Sequence, residues 1–142
     1  MARTLVFTNG VFDLLHTGHV DLLVGARSHG DDLLVGVNSD ASVRRLNKGA
    51  DRPVRSQAER AYLLAALESV TAVVIFDEDT PLELVRAVEP DVIAKGGDYT
   101  PESIVGADDV RARGGRAVVI PLTPGHSTTL TIEKLRASEP TA

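Results

Sequence analysis

Cysteine is absent from this sequence, so a disulfide scaffold, a thiolate metal site and a cysteine nucleophile are all excluded. Aromatic residues are scarce at 4%, and Val, Leu and Ala carry most of the apolar content, as in α/β proteins with buried parallel strands. No apolar run approaches the roughly 20 residues needed to cross a bilayer. The N-terminus passes from Arg3 straight into the strand-like Leu5-Val6-Phe7 with no signal-peptide pattern, so no membrane association and a cytoplasmic location are expected. Basic charge is in deficit: a net charge of -5 argues against a general nucleic-acid surface, which needs a basic footprint to displace counterions.

What is present is a chain of 142 residues, the size of one domain able to bury its own core. A single domain over 1–142 is expected, with residues 138–142 frayed. Apolar runs at 5–8, 33–37, 72–76, 91–94 and 117–120 are too short for helices and read as strands buried on both faces. Segments with helical spacing lie between them, and the alternation predicts a Rossmann-like doubly wound α/β fold with five parallel strands. Ser56-Gln57-Ala58-Glu59 and Thr80-Pro81-Leu82-Glu83 both match the capping box, the second with proline at the first helical position. Behind them Ala61, Leu64 and Leu67, and then Val85 and Val88, form core-facing stripes. Residues 47–55 and 95–102, rich in glycine and proline, are expected to be loops at the ligand edge of the sheet.

Charge is unevenly spread. Between Arg44 and Arg60 six basic residues (Arg44, Arg45, Lys48, Arg52, Arg55, Arg60) face two acidic ones (Asp51, Glu59), a local +4 that fits an anion site. The sharpest motif is Thr8-Asn9-Gly10-Val11-Phe12-Asp13-Leu14-Leu15-His16-Thr17-Gly18-His19, joining the first strand to a helix that begins near Gly18. With His19 in the first turn, backbone N–H groups and the positive helix end point toward both imidazoles, and Gly10 and Gly18 let a phosphate approach the backbone. Two other readings of the same spacing stand beside this one. The histidines could ligate a metal, although Asp13 is the only third ligand nearby, or they could simply cap a turn.

His16-Thr17-Gly18-His19 after the Gly10-Val11-Phe12-Asp13 turn resembles the HxGH signature of the cytidylyltransferase-like nucleotidylyltransferases. Ser127-Thr128-Thr129, locally an ordinary helix cap, resembles that superfamily's second phosphate-binding motif. Arg52-Pro53, Arg60 and Lys95-Gly96-Gly97-Asp98-Tyr99 are similar to the adenylyltransferase domain of the bacterial heptose 1-phosphate enzymes, which make ADP-heptose, and the likeness runs over about residues 5–136. No GxGxxG follows the first strand, which disfavours dinucleotide binding.

The resemblance implies transfer of AMP from ATP to a heptose 1-phosphate, with pyrophosphate leaving and no covalent nucleophile. On that pattern His16, His19 and Lys48 are catalytic. Asn9, Gly10, Val11, Phe12, Gly18, Ser127, Thr128 and Thr129 hold the nucleotide, and Asp13, Arg52, Arg60, Lys95 and Asp98 contact the acceptor. Mg²⁺ is expected on the triphosphate, with no protein metal site. The chain begins at the transferase strand, so a separate sugar kinase is expected to supply the acceptor. Dimers are common among relatives, but no exposed apolar stripe is legible here that would mark a homodimer. The runner-up activity is a cytidylyltransferase acting on glycerol 3-phosphate or another phosphorylated alcohol. A reading from another class is a non-catalytic nucleotide-sensing module.

Overall fold

The five apolar runs become five strands in a computed structural model that describes residues 2–46, 51–97, 99–122 and 135. In chain order the elements are β1 (Leu5–Gly10), α1 (Thr17–Arg27), β2 (Asp32–Asn38), α2 (Asp40–Arg45), α3 (Gln57–Ala65), β3 (Ala72–Phe76), α4 (Leu82–Val88), β4 (Val92–Gly96), a 3₁₀ turn (Pro101–Ser103), α5 (Ala107–Ala112) and β5 (Arg116–Ile120). All strand pairs are parallel, in the order β3-β2-β1-β4-β5. This is the expected Rossmann-like doubly wound sheet. The tail at 138–142 lies outside the described residues.

Strand periodicity explains how two cores form. Val6 and Phe7 are adjacent in β1 and must point to opposite faces. Val6 joins Leu23 and Ala26 of α1 and Leu64 of α3, whereas Phe7 joins Val85 of α4 and Ala107 and Val110 of α5. Right-handed crossovers put α1 and α3 on one face; once the chain reverses its progress across the sheet, α4 and α5 fall on the other. Each fully buried Leu or Val in these clusters contributes about 1.5–3 kcal/mol.

Four local expectations are corrected. The run at 72–76 is not buried on both faces: β3 is an edge strand, with no further strand beside it among the described residues, and Ala72, Val74 and Ile75 are exposed. Ser56 does cap α3, its Oγ accepting from the Glu59 amide at 3.2 Å, but the Glu59 carboxylate turns to Arg55 and not back to the cap. At α4 no capping box forms: Pro81 occupies the cap position, and Thr80 Oγ stands 3.5 Å from the Leu82 amide. The loop expected at 95–102 is also shorter, since Lys95 and Gly96 belong to β4 and residues 101–103 wind into the 3₁₀ turn.

Candidate active site

In an open parallel sheet, ligands bind beyond the carboxyl ends of the strands at the point where strand order reverses. Here β2 lies on one side of β1 and β4 on the other, so the reversal falls between β1 and β4. Asn9 and Gly10 end one strand and Lys95 and Gly96 end the other. Two pockets open at this edge, each of about 150 Å³. Asn9–Phe12, His19, Leu22, Lys95, Gly96 and Leu122 line the first. Asn9, Asp79, Thr80, Lys95, Tyr99 and Ile104 are among the residues lining the second. Asn9 and Lys95 are common to both, so the two pockets are neighbours with one shared wall. A larger depression of about 500 Å³, lined by Val24, Arg27, Gly30, Glu68 and Ser69, gathers no such set of polar groups from the strand ends.

The histidines are placed by the start of α1. His16 is its N-cap, in extended conformation, and Nδ1 accepts from the Gly18 amide at 3.1 Å. Capping and site-building are therefore the same geometry, because the cap bond turns His16 over the first helical turn, where His19 follows. The two rings stack with centroids 3.8 Å apart, and His19 also meets the Phe12 ring edge-on at 5.3 Å. Burial, then the neighbouring His16, push the His19 imidazolium down to about 4, against a Leu14 backbone hydrogen bond that pulls it up. His19 is thus neutral at pH 7. Its Nδ1 is buried with no hydrogen-bond partner among the described residues, poised for a ligand atom.

Lys95 Nζ donates to the Asn9 carbonyl at 3.0 Å and lies 5.6 Å from the centre of the Tyr99 ring. A Cβ at Gly10 would come within 2.9 Å of the Phe12 ring, so a larger residue there would have to displace that ring. Phe12 itself adopts a left-handed backbone, with φ of 50°.

Asp13, Arg52 and Arg60, expected to contact the acceptor, line neither of the two pockets and are held by protein partners. Asp13 is fully buried and accepts from Arg52 Nε at 2.8 Å and from the Val54 and Arg55 amides. Arg60 is also fully buried and donates to the Val11, Asn38 and Arg55 carbonyls and to Asp40. The local excess of positive charge is likewise largely spent on ion pairs: Arg45 with Asp79, Arg52 with Asp13, Arg55 with Glu59 and Arg60 with Asp40.

Of the other expected site residues, Asn9, Gly10, Val11, Phe12, His19 and Lys95 are brought together at the strand ends, and Gly18 lies buried beneath them in α1. Lys48, Asp98, Ser127, Thr128 and Thr129 lie outside the described residues. Sequence reasoning missed Asp79 and Thr80 as site residues. It read Thr80 only as a helix start, although the position follows a strand at the ligand edge. Among the described residues no cluster of His, Asp and Glu is suited to a metal ion, and no helix is long and apolar enough to cross a membrane.

The family model described as cytidylyltransferase-like matches residues 7–134. The chain is 60% identical over 134 residues to the bifunctional protein HldE of Geotalea uraniireducens (strain Rf4), covering 94% of this chain and 27% of that protein. It is 61% identical over 131 residues to the bifunctional protein HldE of Mesorhizobium japonicum (strain LMG 29417 / CECT 9101 / MAFF 303099), covering 92% and 26%. The chain thus spans about a quarter of the length of these curated relatives. Among solved structures, the lipopolysaccharide core biosynthesis protein from Thermoplasma volcanium GSS1 superposes with a TM-score of 0.69 at 26% identity, covering 86% of this chain and 98% of that one. The pantoate-beta-alanine ligase of Francisella tularensis superposes with a TM-score of 0.57 at 13% identity, over 89% of this chain and 61% of that one, a likeness of fold alone.

Proposed function

The chain belongs to the cytidylyltransferase-like family of nucleotidylyltransferases, and from that premise we propose that it transfers AMP from ATP to a heptose 1-phosphate, releasing pyrophosphate and forming ADP-heptose. The observation that carries this reading is the pair of adjoining pockets with Asn9 and Lys95 as their common wall, one holding His19 and the other lined by Asp79 and Thr80. Two substrates meeting across one cation is the arrangement a direct group transfer needs. The preference for a sugar phosphate is supported by Lys95-Gly96-Gly97-Asp98-Tyr99, by the carboxylate and hydroxyl of Asp79 and Thr80 as partners for sugar hydroxyls, and by the likeness to a lipopolysaccharide core biosynthesis protein.

In this reaction a phosphate oxygen of the acceptor attacks the α-phosphorus of ATP. The bond from that phosphorus to the bridging oxygen of the β-phosphate breaks, and pyrophosphate leaves with the electron pair. The attacking phosphate is already ionised, so no general base is required. The protein's work is alignment and neutralisation of growing charge. The His19 imidazole faces the phosphates, His16 packs against it, and Lys95 faces both phosphates from the shared wall. Lys48 and the Ser127-Thr128-Thr129 hydroxyls serve the β- and γ-phosphates, and Asp98 contacts the sugar. Mg²⁺ arrives with the triphosphate as part of the substrate; the Asp13 carboxylate is already engaged by Arg52 and two backbone amides. A sugar kinase supplies the acceptor.

The test is pyrophosphate release by the purified protein with Mg²⁺, crossing ATP, CTP and GTP against heptose 1-phosphate and glycerol 3-phosphate. Release with ATP and heptose 1-phosphate alone is expected. Release with CTP and glycerol 3-phosphate would replace the substrates, and ATP binding without release from any pair would favour a sensing module.

A further inference from the structure

We propose that Asp13, Arg52 and Arg60 are positioning residues, a buried brace that fixes the turn between β1 and α1 and, through the Phe12 ring, sets the imidazole of His19. The inference rests on the reading of His19 as a participant in nucleotidyl transfer. The brace itself is visible in the hydrogen bonds. Phe12 holds a left-handed φ of 50°, a conformation that a bulky residue keeps only when its surroundings over-determine it.

Both residues flanking Phe12 are held from the same distant stretch of chain. Before it, the Val11 carbonyl accepts from Arg60 Nη1 at 2.9 Å. After it, the Asp13 carboxylate accepts from Arg52 and from the amides of Val54 and Arg55, all at 2.8 Å in their shortest contacts. Arg60 Nε, donating to the Arg55 carbonyl at 3.1 Å, ties the two clamps to each other.

The force path to the site is short. The Phe12 ring is confined on one side by Gly10, where even a Cβ would come within 2.9 Å, and on another by His19 at 5.3 Å. His19 in turn stacks on His16. A turn that drifts therefore carries Phe12 with it and releases the imidazole pair. This explains why three charged side chains that line neither pocket are buried almost completely beside the site: Asp13 and Arg60 are fully enclosed, and the Arg52 side chain is 8% exposed. An ordinary surface ion pair would not need that enclosure. The planar guanidinium of Arg60, with its fixed fork of donors, reaches four acceptors that an ammonium cannot serve together.

The experiment combines histidine NMR with steady-state kinetics on Asp13→Asn, Arg60→Lys and Arg52→Gln, which attack the brace at three points of decreasing burial risk. The ring signals of His19, assigned by their loss in His19→Gln, are expected to be displaced in the wild type by the ring currents of Phe12 and His16, whose rings lie 5.3 and 3.8 Å away. In each variant that keeps native circular dichroism, those signals are expected to move toward unstructured values. The kcat is expected to fall about 10²-fold, as for a small misplacement of catalytic groups, while KM for ATP changes by less than about threefold. A role in stability alone would lower the melting temperature but leave the His19 signals and the kcat of the folded fraction where they were, and that result overturns the proposal. Displaced signals in the variants of a protein that releases no pyrophosphate would uphold the brace and defeat the functional reading on which its catalytic consequence rests.

Discussion

His16 has two duties in this structure, and they can be separated by substitution. As the N-cap of α1 its Nδ1 accepts from the Gly18 amide; as a site residue it stacks on His19. Replacing it by alanine removes both. Loss of the cap bond is expected to cost about 1 kcal/mol, a fall of roughly 4 °C in Tm for a domain of this size. Loss of the imidazole is expected to lower kcat by on the order of 10²–10³, the effect of deleting one group that stabilises transition-state charge. Asparagine is among the best N-caps and carries no imidazole. His16→Asn is therefore expected to recover the Tm of the wild type while staying as inactive as His16→Ala. Scanning calorimetry and pyrophosphate release on the three proteins make the comparison. Recovery of activity together with stability in His16→Asn would refute the reasoning, because the histidine would then be a cap and nothing more.

Two further predictions concern the same edge of the sheet. His19 takes a proton at about 4 in the folded protein and near 6.5 in the unfolded chain, so between those values the unfolded state binds more protons. Its contribution is fully present above pH 6.5 and is lost as pH falls toward 4, a change of about 2 kcal/mol after allowance for solvent. Urea denaturation of the wild type and His19→Gln at pH 7 and pH 4.5 reads it: the stability difference between the two proteins should shrink or reverse at the lower pH, and a constant difference would contradict it. Lys95→Met, which keeps most of the side chain's reach and removes the charge between the pockets, is expected to lower kcat/KM by on the order of 10²–10³. Loss of the Asn9 carbonyl bond should itself cost about 1 kcal/mol of stability. Unchanged turnover in this variant would remove Lys95 from the site.

Much of this architecture was legible in the amino acids. Short Val- and Leu-rich runs can be buried only as strands, and helices between them compel a parallel sheet, so the fold and the location of the ligand edge followed from pattern alone. The His16–His19 spacing likewise implied convergence, because a cap and the third helical residue lie over the same turn. What escaped was set by partners distant in sequence. The exposure of Val74 and Ile75 depends on β3 ending at the sheet edge, a matter of strand order that a local apolar run does not encode. The basic stretch looked like an anion site because its counter-charges, Asp13 for Arg52 and Asp79 for Arg45, stand 39 and 34 residues away. The burial of Asp13 and Arg60 escaped for the same reason: charged residues near a phosphate motif look alike in sequence whether exposed or enclosed, and the groups that enclose these two, such as the Val54 amide and the Val11 carbonyl, are far along the chain.

The central claim is that the α-phosphorus of ATP moves intact, with its adenosine, onto a sugar phosphate. Phosphorus NMR of the protein with MgATP and heptose 1-phosphate follows that atom directly. A new pair of coupled diphosphate-diester resonances is expected, with pyrophosphate in equal amount. Appearance of ADP with orthophosphate or a phosphorylated sugar would place the cleavage at the γ-phosphate and contradict it.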